Sequence, residues 1–514
     1  MSTTDNNKRI AKNTLVLYVR MVLMTFIGLY TSRINLQALG VTDYGIMNVV
    51  GGLTSMSTLV TAAMASSIAR FITFALGTGD LKRMKQVFSA SVTIELMLSV
   101  IVVVLMETIG LWFLNNKLVI PAERMAAANW VFQFSIFGFV LGLIYAPYSA
   151  CLVAHEKIAT FAYIELFSAV VKLGIAFTVL YSPIDRLVLF SFLGLMWGVV
   201  LRFVYNGICK RNFQECVYRL QWDGKLMKEM FMFGLWSFVG CMAGILQGHG
   251  VNLMTNMFFG PALNAAKGVA ATVNSHVTSF THNLMVSVNP AITKAYAAGD
   301  RTYFMKLVYW GARMSFYLIF IVGLPVVLQT HYILDLWLTT VPDHTVLFIQ
   351  LGLISAMFSR LSVPLDTAQS STGNIRTYQL VYSAISLFCL PVCYVCYKAG
   401  CAPETSVVVG FVISQATIAA KLWLLRGLVG LSVRDFIRRV YLNILCVGAA
   451  ACVLPLLLRP FVRETLVDFI WYTLLCVACA CLAVLFIGCS PHERDMIRTY
   501  AIKMKGKLLH RGAC

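Results

Sequence analysis

Five basic residues stand where a hydrocarbon environment penalises them. Arg20, Lys172, Lys267, Arg313 and Arg360 all fall inside long apolar runs. A cation near a bilayer centre costs about 2.5–3.5 kcal/mol on insertion scales. Such groups must face a wet cavity or pair with an acid. Three acids occupy comparable positions, Glu95, Glu165 and Asp366. Glu165 and Lys172 share one helical face, but they are two turns apart, a long reach for direct contact. The deep cations outnumber the deep acids. That imbalance predicts a cavity with surplus positive charge and an anionic cargo, such as a phosphate or diphosphate. Arginine would grip it bidentately and lysine as a point charge. Arg70, Arg202 and Lys421 lie nearer the ends of their runs, where snorkelling to the interface is expected.

Polar side chains cluster close to one of these cations, Lys267. The stretch LQGHGVN carries Gln247, His249 and Asn252, and the next apolar run carries Asn264, Lys267, Asn274, His276, Thr281, His282 and Asn283. Such groups can knit helices together by hydrogen bonds. The second run is nevertheless too polar to face lipid, and sugar hydroxyls need donors and acceptors of this kind. His249, Asn252, Asn274 and His276 are therefore candidate polar lining of the cavity.

The elements that must position these residues are helices in a membrane. Of 514 residues, 59% are hydrophobic and only 12% charged. A soluble chain would carry about a quarter charged residues. Long apolar stretches recur from end to end, and glycine inside them suits packed helices better than alternating barrel strands. The polar, basic start MSTTDNNKRIAKN has no small-residue cleavage site and does not read as a cleavable signal. The cysteines lie mostly in apolar runs such as CVACACLAVLFIGC and read as small packing residues.

Fourteen spans are expected, at 13–33, 43–69, 88–113, 125–147, 159–181, 186–208, 230–256, 263–289, 305–329, 343–364, 376–397, 405–425, 438–458 and 465–488. With the N-terminus inside, most lysines and arginines of the loops fall on the inner side, among them Lys82, Arg83, Lys85, Lys210, Arg211, Lys294, Arg301 and Arg434. The positive-inside rule then places both termini in the cytoplasm. The net charge of +19 is mainly a topology signal, and no nucleic-acid partner is needed to explain it. The basic tail RTYAIKMKGKLLHR is read either as lying on an anionic leaflet or as a solvated end.

The chain also repeats itself. Ile72–Lys85 reads ITFALGTGDLKRMK, and Ile292–Lys306 reads ITKAYAAGDRTYFMK. Aligned at this offset without gaps, Gly40, Ser67, Thr73, Gly79 and Asp80 meet Gly260, Ser287, Thr293, Gly299 and Asp300. Chance similarity between helices of like composition is one explanation. The sharper one is two parallel six-span halves, each with a glycine turn and an aspartate cap at the same place. The fold class is then an all-α polytopic membrane protein of about fourteen helices. Its expected parts are an N-lobe at 1–208, a linker at 209–229, a C-lobe at 230–427, two extra spans at 428–488 and a basic tail at 489–514. Two similar lobes around a central cleft suit alternating access.

The sequence has no Walker A, GxSxG, HExxH or Rossmann signature and no metal-ligand spacing, so neither enzyme chemistry nor a cofactor is expected. No outer loop is long enough for a catalytic domain.

ALGVTDYGIMNVVGGL, ILDLWLTTVPDHTVLFIQL and AQSSTGNIRTYQL, with LPVCYVCYKAGCAPE after it, resemble the Wzx-type polysaccharide flippases of the multidrug/oligosaccharidyl-lipid/polysaccharide exporter superfamily. The resemblance spans essentially the whole chain. It implies a bacterial cytoplasmic-membrane flippase that moves an undecaprenyl-diphosphate-linked oligosaccharide to the outer leaflet, for O-antigen, capsule or exopolysaccharide synthesis. It implies membrane lipids and a polysaccharide polymerase as partners. It also implies a cationic cavity role for Arg20, Lys172, Lys267 and Arg313, and makes Glu95, Glu165 and Asp366 candidates for ion coupling. The alternative is an ion-coupled multidrug antiporter of the same superfamily.

Overall fold

The computed structural model describes residues 3–55, 58–116, 120–219, 223–259, 261–337, 343–491 and 493–494. Among them every regular element is a helix. The first half contains α1 (Thr3–Ser55), α2 (Thr58–Thr78), α3 (Leu81–Leu105), α4 (Leu111–Asn116), α5 (Met125–Ala154), α6 (Ile158–Leu180) and α7 (Arg186–Asn212). The second half contains α8 (Gly224–Phe259), α9 (Pro261–Ala297), α10 (Arg301–Leu328), α11 (Thr330–Trp337), α12 (Thr345–Ser359), α13 (Val363–Thr372), α14 (Arg376–Lys398) and α15 (Thr405–Val429). The chain then adds α16 (Val433–Phe436), α17 (Leu442–Leu458) and α18 (Leu466–Ala483).

Helix starts recur at the offset read from the sequence. Leu81 and Arg301 open α3 and α10, and Met125 and Thr345 open α5 and α12. Both hinge glycines are left-handed, Gly79 at φ 72° and Gly299 at φ 76°, a conformation that disfavours any residue with a Cβ. The aspartates after them cap the next helix alike. Asp80 accepts from the Arg83 N–H and Asp300 from the Tyr303 N–H, both at 3.0 Å. Gly40 makes a further break, bending α1 at φ 73° and ψ 174°.

A second pair of equivalents lies at the opposite helix ends. Arg124 stands at the start of α5 and reaches Asp185, at the start of α7, with 2.6 Å between Nη1 and Oδ2. It also holds Asp43 of α1 at 2.5 Å. The Arg124 hydrogen bond holds the Asp185 carboxyl below its usual range. In the second half His344 stands at the start of α12 and pairs with Glu404, at the start of α15. His344 is the equivalent of Arg124, and Glu404 falls one residue before the equivalent of Asp185.

Twelve helices among the described residues are long and apolar enough to cross a membrane. The two expected spans outside that set are 43–69 and 263–289, equivalent positions of the two halves. In the first, the shorter apolar helix Ala63–Thr78 remains. In the second, α9 has 37 residues, length enough to cross, but its serines, threonines, asparagines and histidines dilute its apolarity.

The chain forms two compact units. One comprises Met1–Ile245, Val286–Phe304 and Thr367–Ser383, and the other Leu246–Met285, Met305–Asp366 and Ala384–Cys514. This division does not coincide with the expected boundaries at 208 and 230. Two segments of the second half, Val286–Phe304 and Thr367–Ser383, belong with the first unit because they pack on α2 and on the α5–α6 turn. In the first unit Ile68, Phe88, Tyr148, Cys151, Tyr205, Cys209 and Met230 form one buried core, and Leu114, Phe132, Val179 and Leu187 belong to another. In the second unit Cys389, Cys393 and Val409 pack with Val251 and Met254. These cysteines serve as small packing residues, as their apolar setting predicts. Most of the tail, residues 495–514, lies outside the described residues.

Candidate functional site

In the second unit, α8, α9, α12 and α15 enclose a cavity of about 650 Å³. α8 contributes Gln247 and Asn252, and α9 contributes Lys267 and Asn274. α12 adds Ser355 and Ser359, and α15 adds Ser414. Small residues make the space: Gly268, Ala270, Ala271, Gly352 and Gly410 line the same walls. Gly352 leaves room for Asn274 in its present position, since a Cβ would stand 2.4 Å from the Asn274 amide nitrogen. Lys267 is half-buried, and its Nζ donates to Thr255 Oγ1 at 2.9 Å. Thr255 in turn lies 3.3 Å from the Tyr397 hydroxyl. The Asn274 amide oxygen has no hydrogen-bond partner among the described residues. The lining contains a cation, three amides and three hydroxyls, and no carboxylate among the described residues. Such a surface offers donors to an anion or to sugar hydroxyls and has nothing to neutralise a cationic cargo.

The sequence singles out Lys267, Asn252 and Asn274, and the structure places all three on this cavity. His249 and His276 are exposed and do not line it. Gln247 is polar in the sequence but has no role assigned there. The three serines carry no signal in the sequence, because a serine in an apolar run says nothing until its neighbours are known. The repeat makes the cavity one-sided. The positions equivalent to Gln247 and Lys267 are Ile27 and Met47, so the first half lacks the cation and one amide, although Ser32, Thr54 and Ser135 keep polarity opposite Asn252, Asn274 and Ser355.

In the first unit Arg20 of α1 meets Glu165 of α6, with Nη2 and Oε2 3.8 Å apart. Phe161 stacks under the guanidinium at 5.2 Å. The Tyr205 hydroxyl of α7 donates to the other Glu165 oxygen at 3.3 Å, and Tyr145 of α5 stacks flat on Tyr205 at 5.1 Å. Glu165 therefore pairs with Arg20 rather than with Lys172. The pairing to Lys172 fails because two helical turns separate them, whereas α1 packs directly along α6. Lys172 is exposed.

The remaining charges occupy other places. Arg313 donates to the Gly488 carbonyl and to Glu493, each at 2.9 Å, and so ties α10 to the chain after α18. It is not among the residues lining the cavity with Lys267. Lys421 does not snorkel: it is 5% exposed and donates to Asp366 at 2.6 Å and to Ser362 at 3.0 Å. Asp366 is thus engaged by a cation whose place near a span end suggests the interface instead. Arg360 is half-buried in the single turn between α12 and α13. Glu95 is 1% exposed, and neither of its carboxylate oxygens has a hydrogen bond among the described residues. One exposed group of three metal-type ligands also exists among them, His331, Asp335 and Glu464. His331 Nδ1 already lies 2.8 Å from Asp335. The spacing of those two on one helical face is legible in the sequence, but the approach of Glu464 is not.

The arrangement of helices has counterparts among solved structures. A MATE transporter point mutant superposes with a TM-score of 0.69 at 13% identity, over 81% of this chain and 95% of that one. An outward-facing multidrug resistance MATE family transporter of the MOP superfamily gives 0.67 at 14% identity, over 83% and 97%. The fold is that of the MATE and MOP-superfamily transporters. A MOP superfamily transporter from Pyrococcus furiosus gives 0.64 at 15% identity, over 81% and 95%, and its description states that a binding pocket of reverse polarity suggests a different function. No family model and no curated protein matches the chain.

Proposed function

We propose that this protein is an alternating-access membrane transporter whose cargo is anionic and rich in hydroxyls. The observation that carries the cargo class is the cavity of the second unit, with Lys267 among amides and serines and no carboxylate in its described lining. Together with the sequence resemblance, this favours a flippase of the bacterial cytoplasmic membrane. It would take an undecaprenyl-diphosphate-linked oligosaccharide from the inner to the outer leaflet, with both termini cytoplasmic. The amides and serines suit glycan hydroxyls, and the cation suits an acidic group. Arg20 and Lys172 of the first unit, and Arg360 of the second, are further cations for the same cargo. Glu95, buried without an ion partner among the described residues, and Glu165 and Asp366, each beside a cation, are the candidates for coupling to an ion.

A second reading is an ion-coupled multidrug antiporter. The names of the structural neighbours support it more directly than they support a flippase. The deciding measurement uses proteoliposomes and two cargoes, a fluorescent undecaprenyl-diphosphate oligosaccharide and a cationic dye. The flippase reading expects movement of the lipid-linked glycan and its collapse in Arg20→Ala/Lys267→Ala with folding intact. Dye efflux without glycan movement overturns it in favour of the antiporter.

A further inference from the structure

The two hinges written by the repeat touch each other. Gly77 and Ala297 are equivalent positions, and a Cβ built on Gly77 would lie 2.6 Å from the Ala297 Cβ and 3.1 Å from the Lys294 backbone. Contact between equivalent positions places the meeting point on the local axis that relates the two hinges. Around it stand two sets of polar contacts. Lys294 of α9 donates to Glu156 at 2.9 Å, and the Glu156 side chain is 1% exposed. Glu156 forms the α5–α6 turn at φ 58°, a left-handed conformation that a glutamate adopts at a cost, and Asn13 of α1 donates to its carbonyl at 3.3 Å. Arg70 of α2 donates to the carbonyls of Ser370 and Ser371 at 3.1 and 3.3 Å, at the C-terminal end of α13, where the helix dipole favours a cation. Phe71, Phe74 and Phe233 surround the guanidinium at 4.5, 5.0 and 5.6 Å. Gly373 closes α13 at φ 81°, and a Cβ there would strike the Arg70 guanidinium at 2.5 Å.

We infer that this cluster is a latch that joins the basic-loop ends of the two halves in one state of the transport cycle and must release in the other. The inference rests on the transport reading for its purpose. Its logic is that a permanent joint would be built from interlocking apolar side chains. Met230 of α8 does share the apolar core of Ile68, but between α2 with the α5–α6 turn and the ends of α9 and α13 the contacts include the Lys294–Glu156 ion pair, the two carbonyl grips of Arg70 and a glycine that allows approach without interdigitation. Parting returns the Lys294 and Glu156 charges to water, and that rehydration offsets much of the Coulomb energy the buried pair gives up.

The test reads the latch without any cargo. Thr293, 6% exposed beside Ser371, is replaced by cysteine in the full chain held in lipid nanodiscs. Its rate of modification by a polar maleimide is followed at that site by mass spectrometry. Labelling should rise about tenfold in Glu156→Gln and in Lys294→Gln, the shift expected for loss of one charged hydrogen bond. It should rise also in Gly77→Val, which wedges the contact without touching a charge. The swap Glu156→Lys/Lys294→Glu should return it toward the wild-type rate. Unchanged labelling in all three single variants, or a swap that restores nothing, overturns the latch. Glycan and dye transport by the wild type in proteoliposomes is scored separately. Absence of both sinks the transport reading, while the labelling still decides whether the ends are latched.

Discussion

Lys267 is the residue on which the cargo reading turns. It is nearly two turns into α9, held by Thr255, and it is the cation of the cavity lining. Lys267→Gln keeps a polar side chain of similar length and removes the charge. Transport of an anionic glycan by that variant should fall at least about tenfold, the scale of one charge-assisted contact, while melting temperature stays within a few degrees. A proteoliposome flux assay beside a thermal melt checks both. Asp185 supports a pH prediction of known sign. Arg124 holds its carboxyl below the ordinary range, so its stabilising contribution is present above about pH 4 and is lost as pH falls through the lowered value. The melting-temperature gap between wild type and Asp185→Asn should be widest near neutrality and should close below about pH 4. A gap that is flat with pH would remove the tie from the stability of the first unit. At this level the sequence is a fair guide to which residues are unusual and a poor guide to their contacts. In the sequence Arg313 reads as a deep cation and Lys421 as one that snorkels, yet both meet acids, Glu493 and Asp366, 180 and 55 residues away.

Among the elements, the hinge glycines separate two causes of cost. A Cβ on Gly79 or on Gly299 would meet nothing within 4 Å, so only the left-handed backbone opposes alanine there. Gly79→Ala and Gly299→Ala should each cost about 1–2 kcal/mol, and by the repeat they should cost the same. Thermal melts of the two variants check that equality. Gly77 has ordinary helical geometry but no room, so Gly77→Ala acts through its contact with Ala297 instead. Its effect should appear in the accessibility of Thr293→Cys, where the two hinge variants leave labelling within about twofold of wild type. Equal labelling changes in all three would argue against separating hinge from latch. These turns are legible beforehand because glycine followed by aspartate at a helix end has a local cause. The length of α9 is legible too. Whether α9 counts as a membrane span by apolarity is not, because its polar residues that line the cavity are among those that lower its hydropathy.

For the whole molecule, the two halves share one frame and differ in the side chains they place on it. α3 and α10, and α5 and α12, begin at equivalent residues, yet Lys267 and Gln247 stand where the first half has Met47 and Ile27. Grafting tests this specialisation. Lys267→Met/Gln247→Ile should give the second half the two apolar side chains that the first half has at these positions and abolish glycan transport, with folding retained because both residues already occur in that frame. Retained transport would place the cargo contacts elsewhere. Composition, the apolar runs, the offset between the two hinges and the bias of basic loops all arise from local residue chemistry, and each is readable from the chain alone. So is the surplus of deep cations. Which of them share a cavity, which are neutralised by an acid, and that Gly77 meets Ala297 are outcomes of helices packing across long stretches of chain. No local preference encodes them. They depend on which side chains fill the space between helices, and that is settled only when the helices are in place.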